Sequence, residues 1–209
     1  MKPSLTLSLA IGAVAALAVF AGAAGFAAPA RVEPGTPRYD ANSRLILPAD
    51  YREWVFLSSG MDMSYSQGAA VVGAHVFDNV FAPRAAYAAF EKTGLWPDKT
   101  VLVLENRAGA SKGSINKRGA FQTGEVMGLE AHVKDLARFK GGWGFFGFDG
   151  EKPAPQIPYA AACYACHQAH AATDTTFVQF YPTLLPVATK RGTLSAAYVA
   201  ETASGQGKP

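Results

Sequence analysis

The sequence predicts an α+β fold that is mainly β, and two patterns lead to this prediction. Four short runs of aromatic, β-branched and other apolar residues are bounded by Gly, Pro or Asn, as β-strands commonly are. The segments with helical spacing are fewer and short, and two of them lie near the C-terminus. The four predicted strands are 54–58, 74–81, 101–106 and 143–148.

One short helix is predicted between the second and third strands. Pro83 suits the first turn of a helix, and Gly94 suits its C-terminal end. Tyr87 and Phe90 are spaced to share the buried face of this helix. The stretch 108–123 is rich in Gly, Ser and Lys and predicts either a long hairpin or a mobile loop.

Two further helical segments are predicted near the C-terminus, after a proline-rich loop. The first covers 163–172. The second starts near Asp174, a residue type that commonly caps helices, and ends before Pro186. Its predicted buried face consists of Phe177, Phe180, Tyr181 and Leu184.

The chain begins with a pattern typical of an export signal. Residues 5–30 carry no charge and follow Lys2, and small residues at 21–23 and 28–30 suit a signal peptidase. We therefore predict a signal peptide over 1–30 and a periplasmic location. An apolar run of this length is also long enough for a retained membrane anchor, which stays the alternative.

Composition divides the rest of the chain into three parts. The polar stretch 31–44 is interrupted by prolines and predicts an extended linker, 45–190 predicts one folded domain, and 191–209 predicts a flexible tail. A net charge of +3 over 209 residues does not indicate a nucleic acid or another polyanionic partner. Both cysteines lie in one motif, which excludes a disulfide scaffold.

The motif Cys-Tyr-Ala-Cys-His at 163–167 has the C-x-x-C-H spacing of c-type haem attachment. Two intervening residues let both sulfurs reach the vinyl groups along one edge of a porphyrin. The adjacent histidine then lies beneath the ring and can bind the iron. The motif therefore predicts one covalent haem c, held by Cys163 and Cys166, with His167 as the proximal iron ligand.

Two other chemistries use similar residues. A thioredoxin-like redox pair also has two cysteines at this spacing, but it follows the first strand of a βαβ unit, whereas this motif follows a mostly β region. A zinc site would recruit Cys163, Cys166 and His170 with a fourth ligand from elsewhere. Structural zinc usually takes paired cysteine motifs, so haem attachment is the favoured interpretation.

The ligand on the other face of the iron decides between electron transfer and small-molecule chemistry. His170 is only three residues from His167 and cannot easily reach the opposite face. The remaining candidates lie in predicted strands or turns, where packing or solvent exposure is the usual role. An open distal site is therefore favoured. These candidates are His75, His132, Met61, Met63 and Met127.

Six segments of the chain are informative when taken together. They are YREWVF at 51–56, NVFAPRAAYAAFEKTGLWPDKTVLVLE at 79–105, GLEAHVKD at 128–135, GWGFFGF at 142–148, CYACH at 163–167 and DTTFVQFYPTL at 174–184. Together, and in this order over residues 45–190, they resemble the cytochrome P460 family, which includes the cytochromes c′-β. The resemblance implies an antiparallel β-sheet core with flanking helices, a C-terminal haem motif, an open distal site and a homodimer.

At two positions the resemblance bears on activity. Family members that oxidise hydroxylamine carry a lysine bonded to the porphyrin edge, and Leu104 occupies the matching position, where no such bond can form. The loop residues Lys112 and Lys117 are expected to be exposed. Glu130 matches a distal acid that catalytic members use to handle protons, but it is also spaced to pair with Lys134 on the same strand.

Three functions are therefore compared. The first, which we favour, is a cytochrome whose open iron binds nitric oxide or carbon monoxide beneath an apolar wall that includes Leu104. The second is an oxidoreductase of hydroxylamine or a related nitrogen oxide, or a peroxidase, that uses Glu130 and passes electrons to a soluble redox partner. The third is electron transfer through a six-coordinate haem.

Overall fold

The computed structural model describes residues 35–64 and 75–205. The predicted leader 1–30 and the first residue of the predicted strand 74–81 lie outside the described residues. Within the described part of the chain, no helix combines the length and the apolar character needed to cross a bilayer.

The described residues form a mainly β structure with short helices. The strands are β1 (Arg38–Tyr39), β2 (Leu45–Ile46), β3 (Val55–Met61), β4 (Val76–Ala82), β5 (Val101–Ala110), β6 (Phe121–Lys134) and β7 (Trp143–Phe148). The α-helices are α1 (Arg84–Thr93), α2 (Ala162–His170), α3 (Leu185–Arg191) and α4 (Ala196–Ala203). Short 3-10 helices cover Tyr51–Glu53, Lys140–Gly142 and Val178–Phe180.

Five of the strands form one antiparallel sheet in the order β3-β4-β5-β6-β7, so that each strand pairs with its neighbours in sequence. This confirms the predicted α+β, mainly β fold with an antiparallel core. The two longest strands, β5 and β6, extend across the stretch 108–123 as a hairpin, which confirms the first of its two predicted forms.

Side chains alternate between the two faces of this sheet, as the pleat requires. One face packs into a core around Tyr51 and Trp54, to which β5 contributes Val101 and Val103 and β6 contributes Val133. On the other face, the same strands pack against the helical C-terminal part of the chain, where Leu102 contacts a cluster that includes Val178 and Leu184. We call the side with Tyr51 and Trp54 the packed side; the other side holds both a second core, which includes Leu102 and Trp143, and a cavity.

Helix α1 has the predicted boundaries. Pro83 precedes its first turn, and Gly94 ends it with a φ of 76°, a left-handed conformation that glycine adopts without a steric penalty. The amide of Gly94 donates to the carbonyl of Phe90 at 2.7 Å. Phe90 is fully buried and packs on Trp96 with ring centroids 4.6 Å apart, and both rings belong to a core cluster that includes Leu57 and Leu102 of the sheet.

The prediction of a helix that starts near Asp174 is wrong. Asp174 and Thr175 have φ values of 52° and 53°, which no helix accommodates, and Thr173 and Thr176 bridge this turn. The carboxylate of Asp174 accepts hydrogen bonds from distant residues instead of capping a helix. Only a 3-10 turn follows before α3, and Pro186 lies in the first turn of α3 rather than beyond a helix end.

Two boundary predictions also need correction. The predicted tail 191–209 contains α4, which is capped by the side chain of Ser195 and anchored by the buried ring of Tyr198. The predicted linker 31–44 contains β1, which pairs with β2. In both cases, packing against the domain orders a segment whose composition alone is typical of a loop.

A buried carboxylate lies on the packed side of the sheet. Glu105 on β5 is 1% exposed and accepts hydrogen bonds from Tyr51, Arg52 and Arg107. Burial alone would raise the pKa of Glu105, but these donors outweigh it and hold the pKa below its usual value. The cluster ties the 3-10 turn Tyr51–Glu53 to the central strand of the sheet.

Replacing Glu105 with Leu is expected to lower the free energy of unfolding by about 3 kcal/mol, because Arg107 and the hydroxyl of Tyr51 lose their buried partner. Urea denaturation followed by circular dichroism measures the change. The exposed Glu151→Leu serves as the matched control and is expected to stay near the wild-type value. Equal stability of the two variants would contradict an anchoring role for Glu105.

Candidate functional site

A cavity of about 640 Å³ lies between the second face of the sheet and the C-terminal segments. Helix α2 supplies Cys163, Cys166 and His167 to one wall. The three-residue spacing places both sulfurs on the same side of the helix. The motif singled out by its spacing therefore opens onto a chamber large enough for a cofactor.

The sheet supplies the opposite wall through residues that the strand register brings together. Leu104 on β5 pairs with Glu130 on β6, so their side chains lie next to each other on the cavity face. Val80 on β4 pairs with Leu104 from the other side. Leu102 continues this apolar surface toward His132, its partner on β6.

His167 is oriented by a hydrogen bond to the main chain. Its Nδ1 lies 2.8 Å from the carbonyl oxygen of Thr175, and because a carbonyl only accepts, Nδ1 carries the proton. Burial lowers the pKa of His167, and the bond to Thr175 offsets this only in part. The ring is thus a neutral imidazole with a free lone pair on Nε2, the form that binds a metal.

A group of aromatic rings surrounds His167. Phe177 lies with its ring centroid 4.1 Å from that of His167, and Phe145 lies at 4.6 Å. His132 stacks on Phe145 at 4.0 Å, packs on Trp143 at 4.2 Å and meets His167 edge to face at 4.9 Å. These contacts make the motif end of the cavity apolar and aromatic.

The imidazole of His132 is buried, and its Nε2 lacks a hydrogen-bond partner. Burial, together with the adjacent His167, lowers the pKa of His132 well below its usual value, so the ring is neutral. A buried polar atom without a partner is uncommon in folded proteins, and this one lies on the wall of the cavity, where a bound group can contact it. Together with two free thiols and an available imidazole on one wall, this donor set fits a haem.

The far end of the cavity is polar. Asp78 on β4 lies against Asn106 on β5, whose amide donates to the carboxylate at 2.5 Å. Burial raises the pKa of Asp78 despite this hydrogen bond. Burial also raises the pKa of Glu130, and the Asp78 carboxylate adds to the effect. Glu130 remains accessible to solvent because it lines an open cavity.

Comparison with known families gives one match. The sequence model of the family described as Cytochrome P460 matches residues 48–178, which is more than half of the chain and includes the motif at 163–167. The chain belongs to the cytochrome P460 family. Membership implies that this cytochrome binds haem. A search of curated proteins finds no match.

The structure of this cytochrome separates the candidates for the distal ligand. His75 pairs with Asp62 at 2.6 Å, and His170 lies 3.2 Å from Glu201. Neither histidine lines the cavity, and the exposed Met61 and Met127 do not line it either. Two candidates do line it, and they are His132 and Met63.

The same geometry bears on the lysines and on the zinc site. Lys134 pairs with Asp174 at 2.6 Å, so the interpretation in which Lys134 pairs with Glu130 is wrong. Lys112 and Lys117 are exposed and do not line the cavity, as expected. Among the described residues, no three His, Cys, Asp or Glu side chains cluster as a metal site would require, which gives a zinc site no support.

Sequence reasoning missed part of this cavity. Asp78 and Asn106 were not predicted as site residues, although strand alternation offered a signal, because Asp78 is in phase with Val80 on β4 and Asn106 is in phase with Leu104 on β5. No pattern in the sequence indicated that His132 lies beside His167. This contact depends on α2 folding back over the sheet.

The raised pKa of Glu130 predicts a pH-dependent stability. In the unfolded chain this carboxyl ionises near its ordinary pKa of 4.5, whereas in the folded chain it ionises at a higher pH. The unfolded state therefore loses its proton first, and stability falls as pH rises through this interval. Because glutamine has no proton to lose, Glu130→Gln is expected to gain thermal stability relative to the wild type as the pH rises above about 4.5.

Calorimetric melting of both proteins at a series of pH values measures the difference. Glu125→Gln, an exposed position on the same strand, is the matched control. A constant difference between Glu130→Gln and the wild type at every pH would show that the carboxyl is not perturbed.

Proposed function

We propose that this chain is an exported c-type cytochrome with one covalent haem and an open distal site that binds nitric oxide, carbon monoxide or a related small nitrogen oxide. In this proposal, Cys163 and Cys166 form the thioethers and His167 is the proximal iron ligand. The observation that carries it is a cavity with the C-x-x-C-H motif on one wall and the apolar residues Leu102 and Leu104 on the other.

Covalent attachment is supported by the state of the two cysteines. Both are free, both line the cavity, and they are separated by one helical turn on the same helix as His167. The neutral imidazole of His167, protonated on Nδ1, leaves Nε2 for the iron. A bound haem would supply the redox-active iron at which a small ligand coordinates.

An open distal position is supported by the wall opposite α2. Its centre is formed by Val80, Leu102 and Leu104, which have no lone pair to offer a metal. His132 is in ring contact with His167, whereas two imidazoles that bind one iron from opposite faces are separated by the porphyrin. A hydrocarbon wall favours neutral diatomic ligands over charged ones, because burial of an ion without a partner is costly.

The sulfur of Met63 is a poor competitor for the iron. It packs against the backbone of β3 so closely that a Cβ at Gly60 would lie 2.3 Å from it. The side chain is also about half exposed. Binding the iron would require Met63 to leave this contact.

The proposal predicts one haem per chain and a reduced spectrum that responds to ligands. Expressed with a c-type maturation system, the protein is expected to carry one haem that survives denaturation, as intact mass measures. Its ferrous absorption spectrum is expected to be high-spin and to shift on addition of carbon monoxide or nitric oxide. Cys163→Ser with Cys166→Ser is expected to lose the denaturation-resistant haem.

Each result can count against the proposal. Retention of covalent haem in the double serine variant would contradict attachment by this motif. A low-spin ferrous spectrum that does not change on addition of either gas would contradict the open distal site and favour electron transfer through a six-coordinate haem. His132→Ala and Met63→Leu would then identify the sixth ligand, because the responsible variant alone becomes high-spin.

The second candidate, oxidation of hydroxylamine or a related nitrogen oxide, is favoured by Glu130. Its raised pKa lets a carboxyl hold and release a proton nearer to neutral pH, as a proton acceptor for an N–H or O–H group requires. Hydroxylamine-dependent reduction of an electron-accepting dye tests this function. If it occurs, Glu130→Gln is expected to slow dye reduction while leaving carbon monoxide binding intact.

The Leu104→Lys variant tests the placement of β5 against the haem. An amine at this position would extend into the cavity beside Glu130, where the catalytic relatives have their crosslinking lysine. With hydrogen peroxide added as the two-electron oxidant, we expect a bond between the lysine nitrogen and a carbon on the porphyrin edge, formed as an N–H and a C–H bond are lost and the peroxide is reduced to water. Mass spectrometry would detect it as haem on the peptide that contains position 104. Val126→Lys, on β6 and outside the cavity lining, is the control.

Absence of a crosslink in a haem-loaded Leu104→Lys protein would show that β5 does not lie over the porphyrin edge. The Val126→Lys control is expected to carry haem only on the peptide with the motif. Haem on the peptide around position 126 would show that the bond forms without regard to position.

Location and partners are part of the same proposal. Haem c is attached outside the cytoplasm, which agrees with the predicted leader 1–30 and a periplasmic site of action. An exposed apolar surface on the edge strand β3, which includes Phe56 and Met61, supports the proposed homodimer. A soluble redox partner would exchange electrons with the iron.

A further inference from the structure

The turn that orients His167 contains two strained residues. Asp174 and Thr175 have φ values of 52° and 53°, in the left-handed region that L-residues other than glycine seldom adopt, and they do so consecutively. Such conformations persist only where the surrounding structure holds them in place. The carbonyl that accepts from Nδ1 of His167 belongs to the second of these residues.

The side chain of Asp174 connects this turn to three separate parts of the fold. Its Oδ2 accepts from Nζ of Lys134 on β6 at 2.6 Å and from the amide of Trp96, after α1, at 3.3 Å. Its Oδ1 accepts from Nε1 of Trp143 on β7 at 3.2 Å. The contacts come from two strands and from the loop after α1, so the position and direction of the turn are fixed in space.

Lys134 is the charged member of this arrangement. Its ammonium also donates to the carbonyl of Trp96 at 2.7 Å and lies 5.7 Å from the ring centroid of Trp143. The side chains of Lys134 and Asp174 are 11% and 16% exposed, so solvent screens the pair only weakly. A shielded ion pair of this kind constrains the two segments it joins far more than a surface pair does.

Hydrogen bonds of a threonine hydroxyl also hold the two ends of the turn. Thr176 donates its hydroxyl to the carbonyl of Thr173 at 2.7 Å and accepts from Nε1 of Trp96 at 3.0 Å. Thr173 and Thr176 are both buried. The main chain on either side of Thr175 is therefore fixed, and little freedom remains for its carbonyl.

We propose that Asp174, held by Lys134, is a positioning residue for the proximal ligand: it fixes the Thr175 carbonyl so that His167 keeps one tautomer and one orientation. The proposal rests on the assignment of His167 as the iron ligand. A firm hydrogen bond to Nδ1 makes the imidazole more basic, strengthens its bond to iron and stabilises the oxidised metal. Lys134 and Asp174 thus set the electronic properties of a ligand that neither of them touches.

Two variants weaken the ion pair between Lys134 and Asp174 without removing the turn. Asp174→Asn keeps the size of the side chain but removes its charge. It also replaces one of the two acceptor oxygens by an NH₂ group, which cannot accept a hydrogen bond. Lys134→Met keeps the aliphatic stem and removes the ammonium. Both are expected to lower the iron–histidine stretching frequency in the resonance Raman spectrum of the reduced haem protein and to move its reduction potential to more positive values.

Two matched variants serve as controls. Lys134→Arg keeps a cation that can donate to Asp174 and is expected to stay close to the wild-type frequency and potential. Asp149→Asn breaks an exposed ion pair of the same type, formed with Lys152 at 2.6 Å, and is expected to change neither quantity.

The outcomes separate this proposal from the proposed function. A protein without covalent haem by mass overturns the assignment of the motif. Haem-loaded Asp174→Asn and Lys134→Met proteins with the wild-type frequency and potential overturn the positioning role, even if their melting temperatures fall. The reduction potential is readable whether the iron is five- or six-coordinate, so the test does not depend on an open distal site.

Discussion

The alternation of side chains along β5 and β6 is the constraint on which the rest of this structure depends. Each residue on these strands faces the opposite way from its neighbours, so one strand serves a packed core and a cavity at once. Leu104 and Glu130 meet on the cavity side because they are register partners. A shift of β5 by one residue would turn Leu104 into the core and Glu105 toward the cavity.

Two carboxyl groups on this strand pair show how environment decides the state of an acid. Glu105 is buried among donors, and its pKa falls, whereas Glu130 faces an apolar wall near another acid, and its pKa rises. The first carboxylate anchors the fold, and the second lines the cavity with a raised pKa. Family membership connects the cavity to haem.

The sequence predictions were accurate where an element depends on interactions between residues close in sequence, and they failed where it depends on residues far apart. Helix α1 was predicted well because Pro83 and Gly94 act on their own backbone, and α2 was predicted from a motif within one segment. The prediction of a helix at Asp174 failed because its carboxylate is engaged by Lys134, Trp96 and Trp143, which are distant in sequence. A local capping preference cannot compete with three long-range donors.

The sequence by itself determined the family, the mainly β fold and the residues of the C-x-x-C-H motif, because these depend on local spacing and alternation. Only the tertiary structure decided what surrounds the motif. Asp78 reaches the cavity through strand register, and His132 lies beside His167 because α2 folds back over the sheet. Thr175 orients His167 because a partly buried ion pair holds its turn in a left-handed conformation that residues other than glycine seldom adopt.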